Sequence, residues 1–191
     1  MTVIAEPTPK RWTKAEYHGL LDFWGENSTR YELIDGEIIQ MPPQKDEHAF
    51  ALRLVDYVVR DVFKTGFVIS IQMPLDLSAT SEPEPDIAVV KGDVRSLKKH
   101  PRTAALIIEI SGASLDYDRQ TKGSLYASRG IADYWIVNLE EGTLEVYRRP
   151  AKDGSARFGY SYADTKVLRK GDTISPLAAA KTKIKVAKIL P

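Results

Sequence analysis

The sequence predicts an α/β fold, a mixed central β-sheet flanked by helices, and three observations carry that prediction. Two nearly unbroken apolar runs, Ile87-Ala88-Val89-Val90 and Ala104-Ala105-Leu106-Ile107-Ile108, have the composition of strands buried on both faces. Asp35-Gly36 stands between Tyr31-Glu32-Leu33-Ile34 and Glu37-Ile38-Ile39 and supplies the two positive-φ positions that a tight hairpin turn needs. From Asp46 to about Lys64, Leu52, Val55, Val59 and Val62 recur at helical spacing and stop before Gly66.

Taken in order, residues 1–10 read as a loose arm containing Pro7 and Pro9. Thr13-Lys14-Ala15-Glu16 then forms a capping box that opens a helix ending near Gly25. Pairing across the Asp35-Gly36 turn sets Ile34 opposite Glu37 and Glu32 opposite Ile39, so Glu32 shares a face with two isoleucines and is expected to point inward. His48 lies four residues before Leu52, on the apolar stripe of the next helix. Residues 67–77 read as a strand, and Ser81-Glu82-Pro83-Glu84-Pro85 as the loop that leads into the strand after Asp86. A polar stretch from Lys91 to Pro101 reads as a loop with a short helical piece. The strand carrying Glu109 follows, then a helix from about Tyr117 to Ser128 closed by Gly130. Strands are expected at 134–138 and 144–148, joined by Glu140-Glu141-Gly142, with shorter ones at 158–162 and around Ile174. Lys181-Thr182-Lys183-Ile184-Lys185-Val186 alternates and reads as an edge strand whose lysines discourage edge-to-edge pairing.

The chain has 191 residues, enough for one domain with a substantial core, and a single domain over 1–191 is the expectation. Its 27 basic and 26 acidic residues leave a net charge of +1, so no global field draws it to nucleic acid or anionic lipid, and any DNA contact must come from a local patch. The absence of cysteine excludes disulfides, thiolate metal sites and cysteine nucleophiles. No apolar stretch has the form of a signal peptide or the length of a membrane helix, which points to a cytoplasmic protein with no membrane partner.

The chemistry concentrates on two acids within the apolar runs. Side chains alternate along a strand, so Glu109 projects with Ile107 and Ser111 while Leu106, Ile108 and Ile110 fill the other face. Asp86 projects with Ala88 and Val90, and if the two strands are neighbours the acids converge. Ionised carboxylates among such strands cost several kcal/mol unless compensated, and a divalent cation is the obvious compensator. Lys122 shares a helix face with Leu125 and Tyr126, the face turned toward the sheet, where a lysine needs an anionic partner or a substrate. Each residue also has a plainer use. Asp86 can simply begin a strand, Glu109 can pair with Arg119 or Lys122 in a structural ion pair, and Lys122 can be a solvated helix lysine. Glu32 can face water from its hairpin, and His48 can be a hydrogen-bonded core histidine. Tyr126, Tyr134 and Trp135 occupy periodic apolar positions and read as core aromatics.

Tyr31-Glu32-Leu33-Ile34-Asp35-Gly36-Glu37, Glu47-His48, Pro85-Asp86, Glu109-Ile110-Ser111, Asp118 with Lys122 and Tyr126, and Gly130-Ile131-Ala132-Asp133-Tyr134-Trp135-Ile136-Val137 together resemble the Uma-two group of restriction-endonuclease-like proteins within the PD-(D/E)xK nuclease superfamily. The resemblance runs over most of the chain and implies the restriction-endonuclease-like fold. The superfamily pattern puts its lysine two residues after the second acid, where this chain has Ser111; in the Uma-two group that lysine looks to have moved to the following helix, at the place of Lys122. The resemblance therefore implies that Asp86 and Glu109 ligate Mg2+ (or Mn2+ as a substitute) with the Ile110 carbonyl as a further ligand, that Lys122 assists the attacking water, and that Glu32 is an additional acid. His48 is a secondary candidate. The implied activity is metal-dependent endonucleolytic hydrolysis of DNA leaving a 5′-phosphate, by a homodimer on the analogy of restriction enzymes of this fold. A competing expectation, favoured by the near-neutral charge and by Ser111, is a non-catalytic DNA-associated or protein-interaction module that retains the fold and uses the acids structurally.

Overall fold

The computed structural model describes residues 8–25 and 29–191. Of the arm predicted at residues 1–10, residues 1–7 fall outside the described residues, and residues 8–10 are exposed and irregular. The chain divides into two compact units, one of residues 1–43 and 76–83 and one of residues 44–75 and 84–191.

In the smaller unit, Thr13 caps helix α1 (Lys14–Trp24) with a complete capping box to Glu16, and Gly25, at φ 68°, donates its N–H to the Leu21 carbonyl to end it. Strands β1 (Tyr31–Ile34) and β2 (Glu37–Gln40) pair in the expected register, Glu32 opposite Ile39 and Ile34 opposite Glu37. Asp35 and Gly36 take φ values of 52° and 74°. Gly36 is required twice over, because a Cβ there would also lie 3.1 Å from the Trp12 backbone nitrogen. Residues 76–83 dock on the hairpin: Glu82 donates its N–H to the Leu33 carbonyl at 2.7 Å, and Ser81 Oγ accepts the Asp35 N–H at 2.9 Å. Glu32 is fully buried, as its shared face with the isoleucines requires.

The larger unit is a six-stranded mixed sheet in the order β3-β4-β5-β6-β7-β8, formed by β3 (Phe67–Ile71), β4 (Ile87–Lys91), β5 (Leu106–Ser111), β6 (Asp133–Asn138), β7 (Thr143–Lys152) and β8 (Tyr160–Leu168). All neighbours are antiparallel except β5 and β6. A parallel pair needs a crossover, and the helical segment between β5 and β6 supplies it. One face of the sheet, with Val89, Ile108, Ile110 and Trp135, packs on Ala51, Val55 and Val59 of helix α2 (Asp46–Val62) to form the main core. Strand alternation turns Ala88, Ile107, Glu109, Ser111 and Tyr134 to the other face, which the crossover covers with Leu125 and Tyr126. None of the helices, among the described residues, is long and apolar enough to cross a membrane.

Several elements depart from the sequence expectations: the short helical piece expected between Lys91 and Pro101 is a turn, and the strand expected at 158–162 is the longer β8. The strand predicted over 67–77 stops at Ile71, because Gln72 adopts φ 50° and turns its N–H to the carbonyls of Pro85 and Asp86. The helix predicted from Tyr117 begins earlier and is not uniform: a single turn α3 (Leu115–Tyr117) leads through a π-helical turn, Asp118–Lys122, into α4 (Gly123–Ser128). The predicted edge strand at 181–186 shrinks to β10 (Ile184–Lys185), paired with β9 (Thr173–Ile174). Its alternation survives in Ile184 and Val186 buried and Lys183 and Lys185 exposed, but a turn closed by Thr182 on Ala179 holds the preceding residues out of the ladder.

Candidate active site

The antiparallel register of β4 and β5 sets Ile87 opposite Ile108, so Asp86, one residue before β4, faces Glu109. Two hydrogen bonds tie the acids to each other's backbone. The Asp86 N–H donates to Glu109 Oε2 at 3.1 Å, and the Ile110 N–H donates to Asp86 Oδ2 at 2.8 Å. Asp86 and Glu109 are 6% and 3% exposed, so both carboxylates depend on protein groups rather than bulk water for solvation. Gln72 Nε2 donates to Asp86 Oδ1 at 3.0 Å, and His48 Nε2 lies 3.0 Å from Asp86 Oδ2. An ionised carboxylate only accepts, so His48 carries its proton on Nε2 and its buried Nδ1 has no partner among the described residues.

Lys122 Nζ donates to Glu109 Oε1 at 3.1 Å, and the Tyr126 hydroxyl donates to the same oxygen at 2.8 Å. One helical turn separates Lys122 from Tyr126, which aims both at one strand residue. The π turn before them is closed by the Gly123 N–H on the Asp118 carbonyl, which also accepts the Tyr134 hydroxyl at 3.0 Å. Such a turn holds one residue more than an α-turn and commonly marks a functional site. Here it brings Asp118, Arg119 and Lys122 onto three different anchors. Asp118 Oδ2 accepts both Ser111 Oγ and Ser114 Oγ at 2.8 Å, and Asp118 Oδ1 is 3.9 Å from Lys122 Nζ. Arg119 binds Glu145 of β7 through two bonds of 3.0 and 2.6 Å, a carboxylate that also takes bonds from Asn138 and Tyr147.

Burial raises the Asp86 carboxyl, but the hydrogen bond and charge of His48, with the Gln72 amide and the Ile110 N–H, outweigh it and hold the group below the usual aspartate range. Asp118 goes the other way. Burial dominates, the nearby Asp86 adds to it, and Lys122 and the two serine hydroxyls only partly offset them, so its carboxyl is raised. Two buried acids, Glu109 and Asp118, thus lie against one buried lysine, with Asp86 facing Glu109 across the register. Among the described residues no group of three or more His, Asp or Glu side chains is arranged around a metal position. Asp86 and Glu109 are carboxylates that face each other across the register, donors of the kind a hard cation takes, and their oxygens accept bonds from His48, Gln72, Lys122, Tyr126 and two backbone N–H groups.

Asp86, Glu109, Ile110, Lys122 and His48 meet in this one cluster of the larger unit. Glu32, the further acid expected from the sequence, is held in the smaller unit on β1. Of the two structural pairings expected for Glu109, with Arg119 or Lys122, the structure has the one with Lys122, while Arg119 is bound to Glu145. Sequence reasoning missed Tyr126, read as a core aromatic although its spacing from Lys122 gave it the same target. It also missed Gln72, whose left-handed backbone nothing in the sequence announced, and the Asp118 carboxylate filling the polar position beside Ser111.

Residues 15–187 match the model of the Uma2 family, described as "Putative restriction endonuclease". A crystal structure described as a putative nuclease belonging to DUF820, from Anabaena variabilis, superposes with a TM-score of 0.67 over 93% of this chain and 96% of its own, at 17% sequence identity, and shares the fold. No curated protein matches the chain.

Proposed function

The chain belongs to the Uma2 family, and from that premise we propose that it is a metal-dependent endonuclease that hydrolyses DNA phosphodiester bonds. The observation that carries this reading is the pairing of two buried, register-opposed carboxylates with a buried lysine whose Nζ is 3.1 Å from the second of them. Asp86 and Glu109 would hold Mg2+, with the Ile110 carbonyl as a further ligand. Bound there, the ion would supply charge neutralisation for the phosphate and a lowered pKa for water.

The chain's own groups do the rest. The Ile110 N–H, Gln72 and His48 fix the Asp86 carboxylate in its ionised form, and Tyr126 and the Asp86 N–H hold the Glu109 carboxylate in position. Lys122, anchored on Glu109 Oε1, brings a fixed positive charge to stabilise the negative charge that grows on the phosphoryl oxygens during in-line attack by water. The close packing of Leu125, Tyr126 and Tyr134 keeps bulk water from screening that charge.

Calorimetry with Mg2+ and Mn2+ on the wild type, Asp86→Ala and Glu109→Ala, together with cleavage of plasmid and single-stranded DNA, tests the reading. Metal binding and cutting in the wild type, with both lost in the variants, are expected. A wild type that binds neither ion and cuts neither substrate would leave the acids as a structural network and the protein as an interaction module. The same reading takes the active form as a homodimer, checked by light scattering of the purified protein.

A further inference from the structure

A net charge near zero conceals a strong asymmetry along this chain. Residues 169–191 carry Arg169, Lys170, Lys181, Lys183, Lys185 and Lys188 against one acid, Asp172, a net of +5 that leaves the rest of the chain at −4 and the whole at +1. Such an asymmetry marks a surface for a polyanion. All six basic side chains are exposed. Lys170 Nζ donates to the Pro191 carbonyl at 2.7 Å, and the other five have no ion-pair partner among the described residues. The Asp172 carboxylate accepts the Arg169 backbone N–H at 2.8 Å, so the one acid is engaged with the main chain of its own turn.

The fold gathers these residues on one ribbon. Antiparallel pairing of β9 with β10 sets Ile174 opposite Ile184 and Thr173 opposite Lys185. Directly opposed residues share a face, so the isoleucines turn to the core while Thr173 and Lys185, with Lys183 two residues earlier, turn outward. Past β10, the Val186 N–H donates to the Asp172 carbonyl at 3.0 Å, and Lys170 reaches Pro191, which brings the Arg169–Asp172 turn against the segment that carries Lys188. Ile174, Ile184, Val186, Ile189 and Leu190 are buried in the main core, so the lysines stand on anchored backbone rather than on a loose tail. Protection of a strand edge accounts for Lys183 and Lys185. It gives no reason for Arg169, Lys170 and Lys188 to gather around a ribbon of two residues a strand.

We propose that the outer face of the β9–β10 ribbon binds the phosphate backbone of a nucleic-acid duplex, with Lys183, Lys185 and Lys188 at its centre. Lysine brings a point charge on a flexible stem without the planar fork of arginine, which suits phosphate contacts that carry no sequence information. The choice of nucleic acid among polyanions rests on the nuclease reading. An anionic membrane surface takes apolar side chains beside the lysines, and the apolar side chains of this ribbon are committed to the core. The ribbon packs with α2 on the sheet face turned away from Glu109, so it holds duplex remote from the scissile phosphate. It serves affinity and leaves the chemistry to the acid cluster.

The test uses the full chain and binding rather than cutting as its readout. A fluorescein-labelled DNA duplex of about 20 base pairs is titrated in EDTA at several salt concentrations against wild type, Lys183→Gln/Lys185→Gln, Lys183→Arg/Lys185→Arg and Lys98→Gln/Lys99→Gln. The last makes the same change of charge at another exposed lysine pair. Lys183→Gln/Lys185→Gln is expected to weaken duplex binding roughly tenfold at low salt and to reduce the salt slope by about 1.8, the signature of two lost phosphate contacts. The arginine variant should keep the slope, Lys98→Gln/Lys99→Gln should match wild type, and urea melts and Mg2+ binding should be the same in all. Wild-type affinity and slope in Lys183→Gln/Lys185→Gln overturn the proposal, as does an equal loss in both glutamine variants, which would reduce the effect to net charge. Binding to phosphatidylcholine–phosphatidylserine vesicles that depends on Lys183 and Lys185, in a protein that does not bind the duplex, overturns the nucleic-acid assignment. Failure of the wild type to cut DNA in Mg2+, with the lysine dependence of duplex binding intact, overturns the nuclease reading and leaves the ribbon standing as a nucleic-acid contact.

Discussion

Replacing Lys122 by Met removes one charge from the acid cluster while keeping most of the side chain's volume, and its effect can be worked from the geometry. Lys122 Nζ and Glu109 Oε1 are 3.1 Å apart and both side chains are almost wholly buried. With an effective dielectric constant of about 20, the attraction at that distance is about 5 kcal/mol. Breaking a buried pair by removing one partner typically costs about 3–5 kcal/mol, because the charge left behind is uncompensated. Tyr126 and the Asp86 N–H still donate to Glu109, which places Lys122→Met toward the lower end, about 3 kcal/mol. Urea unfolding at pH 7 measures this directly. The double variant Lys122→Met/Glu109→Gln carries no orphan carboxylate at this pair and should recover about half of the loss or more. In cleavage assays, however, Lys122→Met should be slower by about 10²–10³, the loss typical of one charge-stabilising group, and the double variant, which also lacks the Glu109 carboxylate, should not cut. Stability of Lys122→Met within about 1 kcal/mol of wild type would refute the buried pairing, as would a double variant whose loss is the sum of the two single ones.

The two shifted aspartates predict opposite pH trends. Asp86 is held below its ordinary value of 3.8, so it adds stability that is complete above that pH and lost as pH falls through its folded value; Asp86→Asn should flatten the acid limb of urea melts below about pH 4. Asp118 is held above 3.8, so its contribution declines as pH rises through its folded value, and Asp118→Asn should reduce the stability lost between pH 4 and neutrality. Tyr126→Phe deletes one hydrogen bond to a buried carboxylate and should cost about 1.5–3 kcal/mol in the same melts. Gly36→Ala forces a Cβ against the Trp12 backbone at positive φ and should destabilise the smaller unit by about 1–3 kcal/mol, read as lost hydrogen-exchange protection of β1 and β2.

What the sequence made legible was what local periodicity encodes. The Asp35-Gly36 hairpin and its register, the capping box at Thr13, the helix over Asp46–Val62 and the two apolar strands all follow from spacings of a few residues, and the structure has them. Strand alternation also placed Glu109 beside Ser111 and away from the α2 core. What lay beyond local pattern was the geometry of irregular backbone. The early end of β3 depends on a left-handed Gln72 that no glycine or asparagine announces, and with it went the residue that holds Asp86 Oδ1. A π turn has no composition of its own, so the helix around Lys122 read as regular and the separate destinations of Asp118, Arg119 and Lys122 were invisible. Tyr126 was visible as a buried aromatic, but hydrophobic periodicity describes its ring and not the hydroxyl that bonds Glu109.

Each of the two acids is gripped by the other's strand, through the Asp86 N–H on one side and the Ile110 N–H on the other. Their alignment is therefore inherited from the ladder between β4 and β5, which Ala105 extends by donating its N–H to the Val89 carbonyl at 2.7 Å. A change in the length of residues 92–103 leaves those ladder bonds in place. The number of residues between the two acids is thus a poor search pattern for this kind of site. The interval of four from Lys122 to Tyr126 is a good one, because a helical turn enforces it.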